Sequence, residues 1–247
     1  MDNEHFPIPA PVFNGASRRV DIADSFDWLK QGWTIFISNP GAWIAMMVIV
    51  IVLFIGLAIV PLIGQLAAHL LMPVLGAGML VACRKVANAE PLEIGDLFAG
   101  FQRNTGPLMM LGVLYMLGML VVGLLVVVFG GGSVAGGLLM GNPAGAGLAV
   151  GGMLVAATLW LALSIPIAMA IWFAPALVMF NNLAPVDALK ASFNACLRNL
   201  VVFLVFGLIV MVLAFFAALP FGLGFLVLGP VLAGAVYASY RDIFVAA

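Results

Sequence analysis

Long stretches of this chain carry no charge. No Asp, Glu, Lys or Arg occurs between Gln31 and Cys83, between Asn104 and Val186, or between Asn199 and Tyr240. About 20 apolar residues suffice to cross roughly 30 Å of hydrocarbon, so each stretch has room for two passes. Each also breaks near its middle: at Pro61, across a Gly-rich link over 130–147, and from Pro220 to Gly224. The pattern predicts six transmembrane helices over 41–60, 62–83, 107–129, 150–175, 200–219 and 222–240. They must be helical, because lipid offers no partner for open backbone groups. The predicted fold is thus all-α and integral to a membrane. Residues 21–247 form one six-helix domain, and residues 1–20, rich in proline and without the apolar core of a signal peptide, form a flexible cytoplasmic tail.

Between the spans the pattern becomes amphipathic. Phe26, Leu29, Trp33 and Ile37 make one apolar stripe, with Asp27, Lys30, Gln31 and Thr34 opposite. Such a stripe fits a helix lying in the headgroup plane, with Asp24 as its N-cap and its end at Asn39-Pro40. The motif recurs. Asp27 and Lys30 correspond to Asp187 and Lys190, Trp33 to Phe193, and Asn39 to Asn199. Met72-Pro73-Val74-Leu75 corresponds to Gly229-Pro230-Val231-Leu232, and Arg84 and Arg241 each stand eleven residues after the proline. A middle unit aligns more loosely, with Phe98 opposite Trp33 and Pro166-Ile167 opposite the two Pro-Val pairs. The expected architecture is three helical hairpins in parallel pseudo-repeat, each preceded by a short interfacial helix.

Charge then orients the bundle. All nine basic residues fall outside the spans and at one end: Arg18, Arg19 and Lys30, then Arg84, Lys85 and Arg103, then Lys190 and Arg198, then Arg241. The positive-inside rule makes that end cytoplasmic, with both termini there. Trp33, Trp43, Trp172, Tyr237 and Tyr240 fall near the same helix ends and read as interfacial anchors. Composition agrees. The chain is 65% hydrophobic and 8% charged, against about 25% charged in soluble domains. A net charge of −1 gives no case for nucleic acid. Cys83 and Cys196, with no histidine nearby, read as apolar fillers, and no cofactor is implied.

The short aromatic helix ending in Asn, the proline-bearing return helix and the closing Arg resemble a family of proteobacterial six-helix inner-membrane proteins without an assigned function. The runs Ala174-Pro-Ala-Leu-Val-Met179 and Ala184-Pro-Val-Asp-Ala-Leu-Lys-Ala-Ser192 are also similar to the membrane domain attached to some glycerophosphodiester phosphodiesterases. The resemblance spans about 20–245. It implies a bacterial inner membrane, and no phosphodiesterase activity, because the catalytic domain is missing.

Few side chains stand out chemically. Gln65 and His69 share one helix face inside a span, yet one histidine with no carboxylate makes a poor proton relay. Pro73, Pro166, Pro175 and Pro230 are expected to kink their helices. Gly147 and Gly151 form a GxxxG element, expected to pack within the chain. The basic rim of Arg84, Lys85, Arg103, Lys190, Arg198 and Arg241, with Glu90, Glu93 and Asp96, is a solvated surface able to meet a partner or anionic lipid. The best-supported reading is a non-enzymatic interaction, accessory or assembly protein whose partners are membrane lipids and another membrane protein. The alternative is a transporter or lipid-handling protein for apolar or amphipathic solutes.

Overall fold

The computed structural model describes Phe13 and residues 15–245. These residues are all-helical, with no strand among them. In chain order they form α1 (Asp24–Ser38), α2 (Pro40–Ala58), α3 (Ile63–Ala87), a 3-10 turn (Ile94–Phe98) running into α4 (Ala99–Gln102), and α5 (Thr105–Val126). Then come α6 (Gly132–Met140), α7 (Pro143–Trp172), α8 (Ala174–Asn181), α9 (Pro185–Arg198), α10 (Leu200–Ala218) and α11 (Phe225–Tyr240).

Five helical stretches are long and apolar enough to cross a membrane: Pro40–Ala58, Ile63–Ala87, Thr105–Met140, Pro143–Asn181 and Leu200–Ala218. The sixth expected span is α11, which has 16 residues before it passes into a π turn at Arg241–Val245. Local chemistry sets the boundaries. Asn39 ends α1, and its side chain accepts the Ala42 amide at 3.2 Å to start α2, with Pro40 in the first turn.

The link over 130–147 is not a loop. One π turn (Val127–Gly131) carries α5 directly into α6, and the chain reverses only at Gly141, with φ +59°, and Asn142. Asn142 then caps α7 by accepting the Gly145 amide at 2.7 Å. The glycines that suggested a linker instead let two helices touch. A Cβ at Gly137 would meet the backbone of Gly145 and Ala149, one at Gly130 would meet Ala156, and one at Gly152 would meet Ser133. Packing within the chain therefore uses Gly145, Ala149 and Gly152. Gly147 and Gly151 face open space, contrary to the expectation for that GxxxG element.

At the charged end, α1 packs on α11, the 3-10 turn and α4 on α3, and α9 on α7. The approaches are close. A side chain at Gly32 would run into the Val231 carbonyl and the Ala235 amide, and one at Gly100 into the Val74 carbonyl. Ser192 on α9 donates to the Met169 carbonyl (2.7 Å) and accepts the Phe173 amide (2.9 Å), spanning the break between α7 and α8. The helix α1 consequently has two apolar faces. Trp28, Gly32 and Ile35 are buried inward, while Phe26, Trp33 and Ile37 stay exposed. Its cap position is Ala23, and the Asp24 carboxylate accepts the Asp21 amide at 2.8 Å.

The segment expected as a loose tail is only partly described, since residues 1–12 and 14 lie outside the described residues. From Ser17 onward it is held. Arg18 donates its amide to Ile243 O (3.0 Å), Val20 donates to Asn199 Oδ1 (3.0 Å), and Asn199 Nδ2 donates to Arg18 O (3.0 Å). A buried asparagine with both ends of its amide satisfied fixes the strand of chain that crosses it.

Candidate functional site at the charged end

The six rim residues do not form a continuous ring. Each is engaged differently. Arg84 places its guanidinium 4.5 Å from the Phe180 ring centroid, a cation–π contact. Lys85 pairs with Asp96 at 2.6 Å, where Asp96 is buried and also caps the 3-10 turn by accepting the Glu93 amide at 2.9 Å. Arg103 is exposed and forms no ion pair among the described residues. Lys190 lies 3.9 Å from Asp187, both well exposed, and such a pair contributes little. Arg198 donates to the Ser17 carbonyl, and Arg241 lies 6.0 Å from the Tyr237 centroid.

A polar cleft of about 480 Å³ is lined by Arg84, Lys85, Glu90, Asp96, Gln102 and Arg103, with Val81 and Met179 on its apolar side. A second, of about 330 Å³, lies between α1 and α11 and includes Asp24, Asp27, Arg241 and Asp242.

Of the expected anchors, Trp33 and Trp172 are exposed, as that role requires. Trp43, Tyr237 and Tyr240 are core residues. Trp43 is fully buried and donates its indole N–H to Ile35 O (3.0 Å), and Tyr240 donates to Asn181 Oδ1 (2.5 Å). The polar tips of Trp43 and Tyr240 are satisfied by protein, so these two tie helices together instead of meeting headgroups. Sequence reasoning missed Trp28 and Asp242, because a period-3.6 stripe cannot reveal that a residue far along the chain supplies the indole's partner.

Gln65 and His69 share a face but make no side-chain pair. His69 Nδ1 lies 2.7 Å from the backbone oxygen of Gln65, and its ring stacks on Tyr115 at 5.9 Å, while the Gln65 side chain is exposed. Pro73, Pro166 and Pro230 lie inside α3, α7 and α11. The disruption expected at Pro175 falls between α7 and α8, two residues before the proline. The chain breaks at Phe173, and Pro175 takes the first turn of α8, where its missing N–H costs nothing. Among the described residues no group of His, Cys, Asp and Glu could hold a metal ion.

No family model and no solved structure matches the chain. It is 32% identical over 203 residues to a probable inner membrane protein of Burkholderia thailandensis, covering 79% of this chain and 75% of that one. The chain belongs to the same family of inner-membrane proteins.

Proposed function

We propose that this is a six-span, non-enzymatic interaction or accessory protein of the bacterial inner membrane, with both termini cytoplasmic, whose working surface is the charged end. The observation that carries the reading is the platform made by α1, the 3-10 turn with α4, and α9, each seated by close approach on a return helix of another hairpin. That arrangement supports the parallel three-fold pseudo-repeat, in which α11 is the sixth span. Polar and charged groups gather on this platform, as a docking face requires, while the hairpins offer lipid an almost wholly apolar exterior. The similarity to the membrane domain attached to some glycerophosphodiester phosphodiesterases enters as shared architecture only.

Transport or handling of an apolar solute has two cavities in its favour. One of about 220 Å³ lies beside Pro166, lined by Leu114, Tyr115 and Gly118, and an open one of about 400 Å³ lies where α5 runs into α6, lined by Val126, Gly130, Val134 and Leu138. The first is smaller than the roughly 300–1,000 Å³ of ordinary ligand pockets, and the second has no polar side chain in its lining to orient a solute, so this reading ranks second.

The test is native mass spectrometry of the tagged chain extracted from its own host membrane, beside a variant with Asp187→Lys and Lys190→Glu on the exposed face of α9. A stoichiometric protein partner lost in the variant is expected. A chain that extracts alone and moves amphipathic solutes across proteoliposomes would overturn the proposal.

A further inference from the structure

We infer that the cleft between α3 and α4 binds a phosphate-bearing anion, and that its source is the headgroup of an anionic glycerophospholipid. The site stands whether or not a protein partner exists.

Position is the first argument. The cleft is built where three membrane-crossing stretches end: the last turn of Ile63–Ala87, the residues just before Thr105, and the end of Pro143–Asn181. That is the level of the headgroups. Val81 and Met179 line it beside the charged side chains, as a site for a headgroup above acyl chains requires.

Charge is the second. Three cations face two carboxylates, Glu90 and Asp96, in the lining. Asp96 is consumed by Lys85 at 2.6 Å and by the Glu93 amide at 2.9 Å, and Glu90 accepts from Asn88 at 3.3 Å. Arg84 and Arg103 have no carboxylate partner among the described residues. Arg84 lies over the Phe180 ring, and its guanidinium donates to no protein acceptor among the described residues. Planar forks of this kind suit phosphate oxygens.

A comparison within the molecule supplies the third. Counted from Pro73 and Pro230, the residues Val81, Arg84, Lys85 and Asn88 occupy the same positions as Ala238, Arg241, Asp242 and Val245. Both sets line a cleft at a junction between hairpins. Only one is basic. The other opposes a single arginine with Asp24, Asp27 and Asp242. The basic character therefore belongs to this cleft and is not imposed by its place in the fold.

The experiment uses the full chain in mild detergent, exposed to an equal mixture of phosphatidylglycerol and phosphatidylcholine and read by native mass spectrometry. Arg103→Gln and the pair R84Q/R103Q are compared with D27N in the acidic cleft, all checked for unaltered circular dichroism. At roughly one charge contact per arginine, the double variant should lower the phosphatidylglycerol preference by about tenfold or more. R103Q, which disturbs no packing, should lower it in the same direction. D96N, which frees Lys85 while keeping an acceptor for Glu93, should raise it, and D27N should leave it unchanged. If wild type shows no lipid preference but millimolar inorganic phosphate raises its melting temperature, and not that of the double variant, the anion is a free phosphate and the lipid assignment falls. Neither effect, or both persisting in the double variant, overturns the site.

Discussion

Trp28 donates its indole N–H to Asp242 across 3.1 Å, joining positions 214 residues apart. The second carboxylate oxygen of Asp242 pairs with Arg18, so one aspartate closes the first short helix, the segment before it and the end of the chain into a single knot. Trp28 is almost wholly buried and stacks against Phe203 and Phe206 of α10. Asp242→Ala should thus destabilise the protein by about 1–3 kcal/mol, the usual cost of leaving a buried donor unpaired. Thermal unfolding in detergent, followed by tryptophan fluorescence, checks this. Arg18→Gln, which removes a half-exposed partner, should cost clearly less. Equal losses would mean that the ion pair, not the indole bond, carries the knot.

Glycine substitutions should separate by position. Gly32→Ala presses a methyl into the Val231 backbone, an overpacking cost of about 1–3 kcal/mol. Gly147→Ala and Gly151→Ala meet open space inside α7, where alanine is the better helix former, and should hold stability or raise it by up to about 1 kcal/mol. Melting temperatures of the three variants in one detergent decide it. A large loss at Gly147 would show that a neighbouring molecule occupies that face.

Burial pushes the Cys196 thiol up to about 12, the hydrogen bond to Ser192 opposing it weakly. The thiol form is the one retained, so the reactive thiolate stays scarce as the pH climbs from neutral toward that value. In a Cys83→Ser background, maleimide should leave Cys196 unlabelled between pH 7 and pH 9 (about 3–5 units below the thiol's shifted value) until denaturant is added. Rapid labelling of the folded chain would mean that α9 lifts off α7.

The proposed orientation is open to direct measurement. Single cysteines replacing Gln102 and Gly141, in a chain lacking Cys83 and Cys196, should behave oppositely toward an impermeant maleimide in intact cells with a permeabilised outer membrane. Labelling at position 141 and protection at 102 is expected. The reverse would place the charged end outside.

Much of the fold was legible because its strongest determinants are local. Uncharged runs fixed where hydrocarbon lies, and Asn39-Pro40 fixed where α1 yields to α2. What stayed hidden depends on distant partners. Gly137 and Gly145 read as part of a link between two spans, because composition cannot say that each glycine has the other's backbone against it. Tyr237 and Tyr240 read as lipid anchors, because their position in sequence matches a headgroup belt, while Phe180 of α8 packs on both rings and α3 packs on their helix. The basic cleft was half visible: Arg84, Lys85 and Arg103 were named, but not that Asp96 would neutralise only Lys85.

The hairpin that replaced the expected link has a bearing on the membrane itself. Thr105–Met140 is 36 residues long, about 54 Å if straight at 1.5 Å per residue, against a hydrocarbon thickness of about 30 Å. Its far end is greasy, with Leu138 and Leu139 among the most exposed side chains. Such a mismatch is relieved by tilting the helix pair or by thickening the lipid around it. The 19-residue helices α2 and α10 raise no such demand. One flank of the protein is fitted to lipid of ordinary depth, and the other must either lean within it or impose a depth of its own.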